Sequence, residues 1–92
     1  MYYIVHISEL MRNATYPEAG NRLYNIIMEN IDNVDKLDLD MKGVALVPSM
    51  FLNTSIGRFI KECGVARLKE KVTFSNITMN QARHIKNYVD SI

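Results

Sequence analysis

Little in this sequence can staple or redirect the chain: 92 residues hold one cysteine, two prolines, four glycines and no tryptophan. A single thiol excludes an internal disulfide, so the fold has to come from buried apolar surface. With 48% hydrophobic residues the chain can bury a modest core as one domain over residues 1–92. No apolar run approaches the roughly 20 residues a membrane-spanning helix needs, so no membrane role is expected. Charge is close to balance, 11 Lys plus Arg against 10 Asp plus Glu for a net +1, and supplies no bulk field to steer nucleic acid or an anionic surface. Arg67, Lys69 and Lys71 stand without interleaved aromatics, so no nucleic-acid partner is expected. The first residues lack the basic segment, apolar run and cleavage site of a secretory signal, and with the lone cysteine this points to the cytoplasm.

Local patterns supply the rest. Tyr2 to Ile7 is aromatic and β-branched, with Tyr3, Val5 and Ile7 on one face, and predicts a strand buried on at least one side. Thr15 and Glu18 have capping-box spacing with Pro17 between them, so a helix should follow, although Gly20 and Asn21 could instead begin it a turn later. Leu23, Ile26, Ile27 and Ile31 make its apolar stripe. Strict alternation from Lys36 to Met41 predicts a second strand, broken by Gly43. After the short apolar piece Val44 to Val47, Pro48 and the N-cap Ser49 introduce a helix from about Met50 to Cys63, with Leu52, Ile56, Phe59, Ile60 and Cys63 inward and Gly64 as its stop. Val72 and Phe74 mark a third strand, and Thr78 with Gln81 repeats the capping box before a helix from about Met79 whose stripe is Ala82, Ile85, Val89 and Ile92. The order βαβαβα predicts an α/β fold with a mostly parallel sheet and packed helices.

Catalysis needs converging polar groups, and none converge in this pattern. Cys63 falls on an apolar stripe at a helix C-terminus, where a buried, unreactive thiol is expected. His6 and His84 have no third ligand spaced to complete a metal site, and no cofactor is expected. Asp38 and Asp40 share one strand face about 7 Å apart, which admits a divalent cation. A carboxylate before a glycine turn more often accepts backbone hydrogen bonds, and that reading is preferred. Charge is divided along the chain: residues 1–40 hold three basic against seven acidic side chains and residues 41–92 eight against three, which could support homo-oligomers through opposite halves.

The segment Leu39-Asp40-Met41-Lys42-Gly43-Val44, followed by Pro48-Ser49-Met50-Phe51-Leu52-Asn53 and Gly57, resembles the central signature of STAS domains. It is most similar to the STAS-like domain of unknown function of short bacterial proteins, and Gly20-Asn21-Arg22 and the Val72 to Asn76 strand also fit. The resemblance implies a non-catalytic interaction domain. In anti-sigma factor antagonists of the wider fold, the loop and helix start after this strand dock a histidine-kinase-type ATPase that phosphorylates a serine there. Here Met50 stands at the phosphoacceptor place, Ser49 precedes it, Pro48 replaces the usual acid and Asn53 another acidic residue.

The expected function is therefore a bacterial regulatory module that binds a protein partner, a histidine-kinase-type ATPase, through Pro48, Ser49, Met50, Phe51, Asn53 and Thr54. Ser49 is a displaced candidate for phosphorylation, and Phe51, off the main stripe, is expected at the surface. The alternative is a nucleotide or small-anion site at the same helix N-terminus.

Overall fold

The computed structural model describes residues 1–92. Its elements are β1 (Tyr2–His6), α1 (Ile7–Met11), α2 (Tyr16–Asn30), β2 (Lys36–Asp40), α3 (Ser49–Thr54), α4 (Ile56–Cys63), α5 (Val65–Lys71), β3 (Val72–Ser75) and α6 (Met79–Asp90). The strands form one parallel sheet in the order β1-β2-β3, with Tyr3 beside Leu37 and Leu37 beside Val72. This is the expected α/β architecture. Because the strand order never reverses, right-handed crossovers place every connecting helix on the same side of the sheet. Side-chain burial agrees: Val5, Leu37, Leu39 and Val72 are buried, whereas Tyr2, Ile4 and His6 on the opposite face are exposed.

The strand alternation from Lys36 to Asp40 and the stripe of α2 behave as expected, with Leu23 and Ile27 fully buried and Ile31 nearly so. Thr15 is the N-cap of α2, its Oγ1 accepting from Glu18 N at 3.3 Å. That places the helix start at Tyr16 and not a turn later. Thr78 and Gln81 form a complete capping box at α6.

Four expectations need correction. Ile7 does not end the strand but opens the short helix α1, still fully buried. The helix expected over 50–63 is two helices, broken at Ser55 (φ −118°, ψ −91°). There the buried Ser55 Oγ donates to Phe51 O at 2.7 Å and Thr54 Oγ1 donates to Met50 O at 3.0 Å. Hydroxyls bonded back onto carbonyls a turn earlier bend helices, and here they help end one. Cys63 is exposed, because Gly64 turns the chain at φ +89° just beyond it and the stripe ends at Ile60. At α6 only Ile85 of the expected stripe is buried; Ala82 and Ile92 are exposed. The buried position one residue before Ala82 is Gln81.

The tightest packing is between α2 and α3. A Cβ on Gly20 would stand 1.7 Å from Thr54 Oγ1 and 2.7 Å from the carbonyl oxygen of Phe51, so only glycine lets the helices meet. Tyr24 then ties α2 to α4, its hydroxyl donating to Glu62 while the Arg58 guanidinium lies 3.9 Å from its ring centroid. The Glu62 carboxylate that accepts from Tyr24 holds the phenol above its ordinary pKa.

Gly20→Ala separates packing from helix propensity. An exposed helical site would gain about 1 kcal/mol from that change. Here the methyl must displace a backbone carbonyl, and a loss of about 1–3 kcal/mol is expected instead, read as a lower urea midpoint at unchanged slope.

Candidate functional site

The segment 41–48 leaves the carboxyl end of β2 and reaches α3 without regular structure. Four side-chain hydrogen bonds hold its course. Asp40 Oδ1 accepts from Lys42 N at 3.0 Å and from Asn76 Nδ2 at 2.8 Å, closing the turn in which Gly43 takes φ +83°. From α6, the buried Gln81 donates through Nε2 to Val44 O at 2.6 Å, and His84 Nε2 lies 2.9 Å from Val47 O. The carbonyls at both ends of the short apolar piece are therefore bound, and its side chains are displayed on a defined backbone. Leu46 is 67% exposed and Met50 57%. Beside them lies a shallow depression of about 340 Å³, formed by Leu46, Pro48, Asn80, Gln81 and His84.

The residues expected to form a docking surface divide. Ser49 and Met50 are exposed at the start of α3, and Pro48 is partly so. Ser49 is not the N-cap. Pro48 holds that position with an extended backbone (φ −68°, ψ 155°), and its carbonyl accepts from Phe51 N and Leu52 N at 3.1 Å each. The Ser49 hydroxyl makes no capping bond and is left facing solvent. Phe51 is only 2% exposed, contrary to expectation. The break at Ser55 turns α3 out of line with α4, so Phe51 and Leu52 are both buried, with the Phe51 backbone against α2 at Gly20. Thr54 is half-buried in the same contact. Asn53 is exposed, with its Oδ1 accepting from Tyr88 OH at 2.5 Å.

On the open sheet face, both strand carboxylates are occupied by protein donors. Asp38 accepts from Thr73 Oγ1 at 2.8 Å and from Ser75 Oγ, and Asp40 lies 3.0 Å from His6 Nδ1 in addition to its turn contacts. The hydrogen bonds from Asn76 and from Lys42 N, with a smaller contribution from His6, hold the Asp40 carboxyl below the ordinary carboxylate range. This is the turn-closing role read from the sequence for Asp40. The sheet has no reversal of strand order, and so lacks the crevice in which doubly wound sheets collect nucleotides. No helix is long and apolar enough to cross a membrane.

Leu46, Gln81 and His84 were not legible as parts of this surface. Leu46 sits in a run that reads as interior, and the capping box accounts for the Gln81 amide oxygen but not for its donor nitrogen. The partners of Gln81 and His84 lie 37 positions away.

A parallel α/β domain with a pinned loop and a short helix after its second strand is the class that these features define. Residues 19–82 match the family described as the STAS-like domain of unknown function (DUF4325), and the chain belongs to that family. No curated protein and no solved structure matches it.

Two measurements check this account. Phe51→Ala should destabilise the fold by about 3–5 kcal/mol, seen as a collapse of the denaturation midpoint, because it empties a buried aromatic site. For Asp40 the folded-state pKa is depressed, so its stabilising contribution is complete above about pH 4 and is lost as pH falls below that. Asp40→Asn should therefore flatten the acid side of the curve of melting temperature against pH while leaving a smaller, pH-independent loss.

Proposed function

We infer that this domain is a non-catalytic bacterial regulatory module whose surface after β2 docks a protein partner, a histidine-kinase-type ATPase. The observation that carries the reading is the display of Leu46 and Met50, 67% and 57% exposed, on a loop that Gln81 and His84 hold in place. Large apolar side chains on a pre-ordered backbone lose little entropy when covered, and a flexible thioether adapts to a partner's contour. Pro48 extends the apolar contact, and Ser49 and Asn53 supply the polar rim. Membership of the STAS-like family supports an interaction role. The kinase-type partner comes from the resemblance of the segment from Leu39 to Gly57 to the docking region of anti-sigma factor antagonists. Ser49, solvent-facing at the first position of α3, is the hydroxyl available to such a partner's ATP. A phosphate there would bring about −2 charge next to Met50 and weaken an apolar contact.

The test is recovery of the ATPase by the purified domain, with ATP present and absent, followed by phosphopeptide mapping. Met50→Asp and Leu46→Asp should each abolish recovery while keeping the melting temperature within a few degrees, because both side chains are exposed. Recovery that neither change diminishes, or a partner set without an ATPase of this type, overturns the reading.

A further inference from the structure

The two edges of the sheet are guarded differently. β3 borders a groove of about 460 Å³ beside α6 that Val72, Phe74 and Ile85 line and that Lys69 and Lys86 flank. Lys69 belongs to α5 and Lys86 to α6, where it pairs with Asp90 at 3.0 Å, so this edge is flanked by helix side chains of both signs. β1 reads Tyr-Tyr-Ile-Val-His, with no Lys, Glu or Pro, and pairs with β2 alone. On the open face its Tyr2 and Ile4 are 65% and 56% exposed. All-parallel sheets normally have both faces covered, which makes exposed apolar side chains at such an edge a contact surface.

The direction of the edge backbone follows from the ladder. Met41 N donates to Ser75 O at 2.9 Å, which turns the odd-numbered residues of β2 toward β3 and the even-numbered ones toward β1. In a parallel ladder an inward residue bonds to the two neighbours of its partner. With Tyr2 opposite Lys36 and Ile4 opposite Asp38, the odd-numbered residues of β1 therefore face β2. The N–H and C=O groups of Tyr2 and Ile4, and the N–H of His6, point out of the sheet, where no turn, loop or cap hydrogen bond reaches them.

We propose that this edge receives β1 of a second copy, antiparallel across a two-fold axis, joining two three-stranded sheets into one of six strands. Centred on Ile4, the pairing sets Ile4 against Ile4 of the partner subunit with both hydrogen bonds exchanged. Tyr2 then lies opposite His6 of the partner subunit and Tyr3 opposite Val5 of the partner subunit. Because β1 carries no Lys, Arg, Asp or Glu, no like charges meet, and each cross-strand pair contains an aromatic or β-branched side chain. A contact of five residues a side stands at the small end of specific interfaces, so the dimer exchanges with monomer. It lies on a different surface from the loop after β2.

Sedimentation velocity of the native chain from about 1 µM to about 1 mM should show the weight-average mass rising toward twice the monomer. Over the same range the outward-facing Ile4 amide should gain hydrogen-exchange protection. Ile4→Lys and Ile4→Glu each put like charges directly opposite one another and should each be monomeric, with melting temperatures within a few degrees of the native value. An equimolar mixture of the two should dimerise again, because the facing charges are then opposite. A native chain that stays monomeric throughout leaves the edge to a strand from a different protein and overturns the proposal. So do a dimer indifferent to both substitutions, an Ile4 amide unprotected in the dimer, a mixture that fails to re-form, and association that continues past the dimer.

Discussion

Every part of this molecule depends on one topological constraint: three parallel strands added in chain order, with crossovers that can only turn right-handed. That combination stacks the helices on one side and leaves the other side bare. It accounts for the alternation of apolar and polar residues in β2, which in a doubly covered parallel sheet would give way to a continuous apolar run. It also accounts for the side-chain hydrogen bonds of the open face, where Thr73 and Ser75 satisfy Asp38, and Asn76 and Lys42 N satisfy Asp40. The polar groups of that face look after one another, and its apolar exceptions, Tyr2 and Ile4, gather at the β1 edge.

Within the covered layer, the approach of α2 to α3 decides what the loop after β2 can present. Gly20 brings α2 against the Phe51 carbonyl and Thr54, which draws Phe51 inward and leaves Ser49 and Met50 at the rim. From the other side, Gln81 and His84 of α6 bind the loop carbonyls. The loop is thus suspended between two helices, and a region of irregular backbone acquires a definite shape. That shape, together with family membership, supports reading the surface as a place for a protein to dock.

Much of this was legible in the sequence. β1, β2 and β3 follow from alternation, α2 and α6 from their capping residues and, for α2, its stripe, and the family from the segment around Asp40, Gly43 and Gly57. The misses share a cause. α1 carries Ile7, Leu10 and Met11 over little more than one turn, and α5 buries only Leu68, so neither runs long enough for a period to show. The division of the helix at Ser55 leaves the stripe of Leu52, Ile56, Phe59 and Ile60 unbroken in sequence, so periodicity passes over it. The side on which Phe51 falls depends on that division. Cys63 appears to continue the stripe only if the helix does not end, and Gly64 ends it.

By itself, the sequence determined the three strands with α2 and α6 between and after them, the parallel sheet with one inward face, and the family, because each is written in contacts between residues a few positions apart or in the period of apolar side chains. Tertiary structure alone decided which residues around α3 reach solvent, that Pro48 rather than Ser49 caps the helix, and that Gln81 and His84 hold the loop. Those outcomes depend on how closely two helices approach and on hydrogen bonds between distant parts of the chain. No local pattern carries that information, because the side chains that form such contacts are the same ones that would serve equally well on a solvated surface.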